Sequence, residues 1–261
     1  MTCSRWRALS FAICMAAFAP RAGAEDEAFR LAPKGELRVG VVQANAALVA
    51  RSNDGQFRGV ANDVATALGD KIGVKVRLVP YENQTRYNQS IGQDEWDIAI
   101  GFRDLSRTGA LAFTNALMEV DNGFIVRPGR GLLAAADVDR VGIKVAVIQG
   151  STADGSLTRS IKFAELVRIS GGRTSAKEAL SSGRADVYAD SIVECYRLAA
   201  ELPGSTVLVG RFNTSQMVIA VTKANAAKIS ELNDFIADLK RTGGLGEAIK
   251  RAGLRGARLP R

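Results

Sequence analysis

Residues 122–131 read NGFIVRPGRG, and residues 215–223 read SQMVIAVTK. Each is a single apolar, β-like run lying at the edge of a series of alternating short strands and amphipathic helices. A linker between independent domains is polar and irregular. Two strand-like crossings between the same two halves instead make a hinge with a defined axis, suited to lobes that close on a ligand. The chain is therefore expected to be an α/β protein of two lobes, with residues 25–122 and 222–261 forming the first and 123–221 the second.

The series on either side support that division. LRVGVV (37–42), VKVRLVP (74–80) and WDIAI (96–100) are strand candidates in the first half. KVAVIQG (144–150), LVRIS (166–170), ADVYAD (185–190) and TVLVG (206–210) follow in the second. Such alternation predicts largely parallel sheets flanked by helices. Between the first two strands, Asp54-Gly55 signals a hairpin turn. Val60, Val64, Leu68 and Ile72 then recur on one helical face that stops at Gly73. Ser175 and Glu178 have capping-box spacing before a helix. Ile229, Leu232, Phe235, Ile236 and Leu239 form an apolar stripe closed by Thr242-Gly243-Gly244.

The N-terminus is read separately. MTCSRWR is basic, ALSFAICMAAFA is apolar but too short to span a bilayer, and Ala22-Gly23-Ala24 precedes the acidic EDE. This predicts a secretory signal peptide, residues 1–24, cleaved after Ala24. Ile13 before Cys14 is too bulky for a lipoprotein site. Loss of the leader removes Arg5, Arg7 and Arg21, so the net charge falls from +8 to +5. The basic residues are scattered, which argues against nucleic acid but leaves room for an anion-favouring cleft. Only Cys195 remains, so no internal disulfide can form. The chain has no histidine, which excludes Ser/His/Asp and Cys/His nucleophilic sites and makes a zinc site improbable. No calcium loop, Walker loop or G-x-G-x-x-G is present. The expectation is binding without catalysis, cofactor or metal.

Several segments, in order, resemble those of the periplasmic amino-acid-binding proteins, the family 3 extracellular solute-binding components of ABC importers. They are GELRVGV, DGQFRGVANDVATALGDKIGVKV, WDIAIG, SRTGALAFTNAL, VAVIQGSTADG, GRADVYAD, MVIAVTK and LKRTGGLGEAIKRAG. The resemblance spans nearly all of the chain after the leader. It implies the type II periplasmic-binding-protein clamshell, a periplasmic location, an ABC permease as partner and a monomeric receptor.

It also implies roles by position. Arg107, six residues before Phe113, stands where the family keeps the arginine that grips a ligand carboxylate, and a guanidinium fork suits that task. Gly150, Ser151 and Thr152 match the second-lobe loop whose backbone N–H groups and helix N-terminus hold the same carboxylate. The two hydroxyls there can equally cap the helix. Asp190 matches the acid that receives an α-ammonium, whereas Asp186 opens its strand as a structural residue.

Other positions depart from the family. Asn45, Ala46, Ala47, Leu48, Val49 and Ala50 stand where an aromatic, proline-rich wall is usual, and Asp97 to Arg107 is two residues shorter than the common spacing. Phe102 and Arg103 fill the shortened loop. Together with Asn45 and Tyr81 they are weaker pocket candidates. The ligand is thus expected to be a small carboxylate, an amino acid or a derivative. Two alternatives stand beside the transport receptor. One is a cyclohexadienyl-type dehydratase using Glu82 or Glu119 as general acid; the other is a receptor that signals to a membrane partner.

Overall fold

The computed structural model describes residues 31–43, 49–51 and 55–260. The expected leader, Asn45 and most of the 45–50 stretch lie outside the described residues. The first half contains β1 (Glu36–Val42), a short hairpin of β2 (Ala50–Arg51) and β3 (Phe57–Arg58), and α1 (Val60–Ile72). It continues with β4 (Lys75–Tyr81), α2 (Gln84–Ser90), β5 (Ile98–Phe102) and β6 (Leu111–Phe113). Strand β7 (Met118–Val126) leads into the second half, which has β8 (Lys144–Ile148), α3 (Thr152–Ser160), β9 (Glu165–Ile169) and α4 (Arg173–Ser181). Then come β10 (Val187–Ser191), α5 (Ile192–Glu201) and β11 (Thr206–Val207). Strand β12 (Asn213–Thr222) returns to α6 (Ile229–Arg241), α7 (Gly244–Arg251) and the terminal β13 (Ala257–Arg258).

One path of strands runs through the molecule in the order β4-β1-β5-β12-β7-β10-β8-β9. Strands β4, β1 and β5 are parallel, as are β10, β8 and β9. Among the described residues, the path between the two sets runs through the antiparallel pair β7 and β12. The lower part of β12 pairs with β5 while its upper part, Asn213–Met217, pairs with β7, and Asn122–Val126 of β7 then pair with β10. The result is a two-lobed mixed α/β clamshell of the expected kind, with two hinge strands.

Each lobe has its own core because its helices bury one face against its own strands. In the first, Leu37, Val39, Val64, Leu68, Ile98, Ile100, Leu232, Phe235 and Leu245 pack together. Each such side chain withdrawn from water contributes roughly 1.5–3 kcal/mol. Gly73 ends α1 in the left-handed conformation, φ 74°, as the sequence predicts. In the second lobe, Ile125, Ala146, Leu180, Tyr188 and Cys195 pack on one sheet face, and Phe124, Val145, Val147, Leu157 and Val187 on the other.

Three local expectations differ from the structure. The WDIAI strand starts at Ile98 and not Trp96, because the Asp97 carboxylate turns back to accept from the Arg38 backbone N–H at 2.9 Å and its guanidinium at 2.8 Å. The TVLVG strand shrinks to two residues, with Val209 only bridging Ala134. The Ser175/Glu178 box does not open a helix. Helix α4 begins three residues earlier, at Arg173 after Gly172, so Ser175 already lies inside its first turn.

A third strand reaches the hinge that the sequence did not announce. After α7 the tail runs to β13, which pairs with Glu119 and Val120 of β7. On the way the Arg255 guanidinium lies 3.8 Å from the centre of the Tyr196 ring on α5. Ile192, the first residue of α5, fills the space left by two glycines: a Cβ on Gly123 would come within 2.8 Å of it and one on Gly256 within 2.2 Å.

Candidate functional site

In both lobes the parallel strands end toward the hinge, and binding sites of open α/β sheets lie at such carboxyl ends. Asp190 pairs with Gly123 on β7, next to the Asn122·Asn213 step of the hinge ladder. The Arg103 N–H bonds the Gln216 carbonyl at 2.8 Å, beside the Glu119·Gln216 step. Three ladder steps, roughly 10 Å at strand rise, therefore separate the edge holding Asp190 from the edge holding Arg103. Side chains lock this segment together. The Asn122 amide donates to the Ser215 hydroxyl at 2.7 Å and also to Asn213, while Thr214 donates to Asp121 at 2.8 Å.

Arg107 closes a 3-10 turn, Leu105–Arg107, just beyond β5. Asp104 caps that turn, accepting from the Ser106 N–H at 3.0 Å, and pairs with the Arg107 guanidinium at 3.0 Å. The shortened loop thus supplies its own brace for the arginine. The charge also reaches Tyr87, whose hydroxyl is pushed up to about 12 by burial and drawn back by Arg107.

The second-lobe loop is organised differently from the expectation for Gly150 and Ser151. The Gly150 N–H is not free. It donates to the Asp154 carboxylate at 2.9 Å, and the Ser151 N–H bonds the Ile148 carbonyl at 3.0 Å. The Ser151 hydroxyl caps α3 by accepting from the Asp154 N–H at 3.1 Å. The capping role is the one seen. Among the described residues, the first-turn N–H groups without an acceptor are those of Thr152 and Ala153, which carry the positive helix end. Asp154, which sequence reading missed, is buried and held by Arg168 at 3.0 Å. Its signal was the third position after Ser151, where an acid in a first turn has a backbone to organise.

Asp190 sits near the end of β10 with both carboxylate oxygens engaged, one by the Tyr188 hydroxyl and one by the Ser191 N–H at 2.6 Å. Burial raises its pKa above the ordinary value, against the pull of these two donors. Tyr188 is the partner missed in sequence, although the period of two in VYAD already places it on the same strand face. Asp186 is structural as expected, tying the backbone N–H of Lys144 at 3.1 Å to Arg127 and Arg130.

Two weaker candidates are committed elsewhere. The Tyr81 ring is buried against Tyr87 and Trp96, and its hydroxyl donates to Glu95 at 2.9 Å. Phe102, in register with Met217, packs on the first-lobe core. Arg103 differs from Arg107 in having no carboxylate: one guanidinium nitrogen donates to the Thr114 carbonyl at 2.6 Å, and the Nε is buried without a partner. Among the described residues no group of three His, Cys, Asp or Glu could hold a metal, and no helix is long and apolar enough to cross a membrane.

Comparisons with known proteins agree with this geometry. The family profile of the bacterial extracellular solute-binding proteins, family 3, matches residues 37–253. No curated protein matches the sequence. Among solved structures, a solute receptor for L-cysteine of Neisseria gonorrhoeae superposes with TM-score 0.72 at 24% identity, covering 88% of this chain and 93% of that one. A mutant of ArgBP from T. maritima gives 0.70 at 22%, covering 88% and 99%. The ancestral amino acid-binding protein AncCDT-1, described as a precursor of cyclohexadienyl dehydratase, gives 0.71 at 21%, covering 87% and 97%.

Proposed function

Because the chain belongs to the bacterial extracellular solute-binding proteins of family 3, we propose that it is a periplasmic receptor that captures a small carboxylate, an amino acid or a derivative, and delivers it to an ABC permease. The observation that carries this reading is the braced Arg107 at the strand ends of one lobe, with the open first-turn N–H groups of Thr152 and Ala153 at the strand ends of the other. A carboxylate between them takes a charged fork on one side and a helix N-terminus on the other. Asp190 receives an amine where the ligand has one. Solved relatives that are a receptor for L-cysteine and an ancestral amino acid-binding protein favour the amino-acid class.

A thermal-shift screen of amino acids and organic acids identifies the ligand, since a bound ligand stabilises by RT ln(1 + [L]/Kd). With that ligand, Arg107→Ala should cost about 2–5 kcal/mol by calorimetry, the range for truncating one partner of a buried charge pair. A loss below twofold would remove Arg107 from the site. Of the two general acids the dehydratase alternative would use, Glu119 is tied to Arg258 at 3.1 Å and to Gln216 at 3.3 Å within the hinge, and Glu82 is exposed. Incubation with prephenate or arogenate should yield no aromatic product.

A further inference from the structure

Arg103 is the exception among the arginines. Every other described arginine that is not exposed has a carboxylate partner: Arg38 with Asp97, Arg107 with Asp104, Arg127 and Arg130 with Asp186, Arg173 and Arg197 with Glu194, and Arg258 with Glu119 and Asp121. Arg103 is partly buried, has no carboxylate, and holds its Nε in the interior with no acceptor at all. An enclosed guanidinium without a counter-ion is costly, and an orphaned buried donor adds to that cost. Such a group persists where something outside the chain completes it.

Its position says where that partner comes from. The backbone N–H is fixed to Gln216 in the hinge at 2.8 Å, and one guanidinium nitrogen is pinned to the Thr114 carbonyl at 2.6 Å. The remaining donors are therefore held at the carboxyl end of β5, four residues from Arg107. The acids nearby are already spent: Asp104 on Arg107 and the Ser106 N–H, and Glu119 on Arg258 and Gln216. Across the hinge both oxygens of Asp190 are engaged within its own lobe. The balance of unspent groups is cationic.

We infer that the ligand is a small dianion, one carboxylate held at Arg107 and a second received by Arg103. This rests on the receptor reading above and adds the substrate class to it. Acidic amino acids and plain dicarboxylic acids share the chemistry, and they differ in whether Asp190 is used.

The test is calorimetry on the purified protein with L-glutamate, L-aspartate, glutarate and succinate, against L-glutamine and L-arginine. The expected result is at least tenfold tighter binding of one or more of the four diacids than of either control. Arg103→Met should weaken that diacid about 30-fold or more while changing glutamine less than threefold, with an unchanged melting temperature. Arg103→Lys, which keeps charge but loses the fork, should fall between. Preference for glutarate or succinate over the amino acids assigns the plain diacid, and the reverse assigns the acidic amino acid. Tighter binding of glutamine or arginine, still dependent on Arg107, overturns the dianion while leaving the receptor standing. An equal loss of all ligands in Arg103→Met also overturns it. Failure of every compound to bind overturns both.

Discussion

Asp190 joins two demands that pull its protonation in opposite directions. Burial favours the neutral acid, while the Tyr188 hydroxyl and the Ser191 N–H favour the anion, and burial prevails. A carboxyl whose folded pKa is raised resists ionisation that the unfolded chain undergoes at about 3.8. Its stability contribution is thus complete below that pH and is lost as pH rises through the folded pKa. Compared with Asp190→Asn, which cannot ionise, the wild-type protein should lose stability as pH rises from about 3.8 to the raised folded pKa, at up to about 1.4 kcal/mol per pH unit. Melting temperatures of the two proteins across that range give the difference directly. A flat difference would mean that Asp190 ionises as easily in the fold as outside it. Saturation with an amine-bearing ligand should shrink the difference, because the ammonium restores the charged form its counter-ion.

At the scale of elements, the helices and strands were legible wherever one face is buried and the other is wet. Val60, Val64, Leu68 and Ile72 all face the first core, as their spacing requires, and the helix stops at Gly73. Legibility failed where a polar side chain replaced a local rule. In LRVGV the charged Arg38 lies inside, only 4% exposed, because Asp97 meets it across β1 and β5. Nothing in the spacing of one charged residue among valines reveals a partner 59 positions away. The same limit applied to the site. Arg107 and Asp190 could be aligned by motif, but the capture of Gly150 by Asp154 and the burial of Tyr81 depend on contacts that only the folded chain brings about. Removing one side of the Arg38–Asp97 pair leaves a buried charge unmatched, so Asp97→Ala should cost about 3–5 kcal/mol. Urea titration measures it; a loss under 1 kcal/mol would show the pair to be dispensable.

For the whole molecule, ligand capture by two lobes is a shift between open and closed arrangements, and the parts that bend are those bridging the lobes. Two of these bridges are β7 and β12, which the runs NGFIVRPGRG and SQMVIAVTK overlap only in part, at Asn122–Val126 and Ser215–Thr222. The third, residues 255–258, leaves α7 in the first lobe, lays Arg255 on Tyr196 in the second and pairs with the outer edge of β7. Arg258 then binds Asp121 at 2.9 Å and Glu119 at 3.1 Å on that same strand. None of the residues from Arg255 to Pro260 is fully buried, so the strap contributes little to either core and its effect is concentrated on the hinge. Deletion of residues 255–261 should therefore lower the melting temperature by only a few degrees, because partly exposed ion pairs contribute about 0.2–1 kcal/mol each. Amide exchange at residues 119–122 should meanwhile speed up by about tenfold, the equivalent of about 1.4 kcal/mol of local opening. Exchange at Val187–Ala189, inside the second lobe, should stay as it is. Uniform acceleration across both lobes would make the tail part of the core, and no change at 119–122 would leave the hinge to β7 and β12 alone.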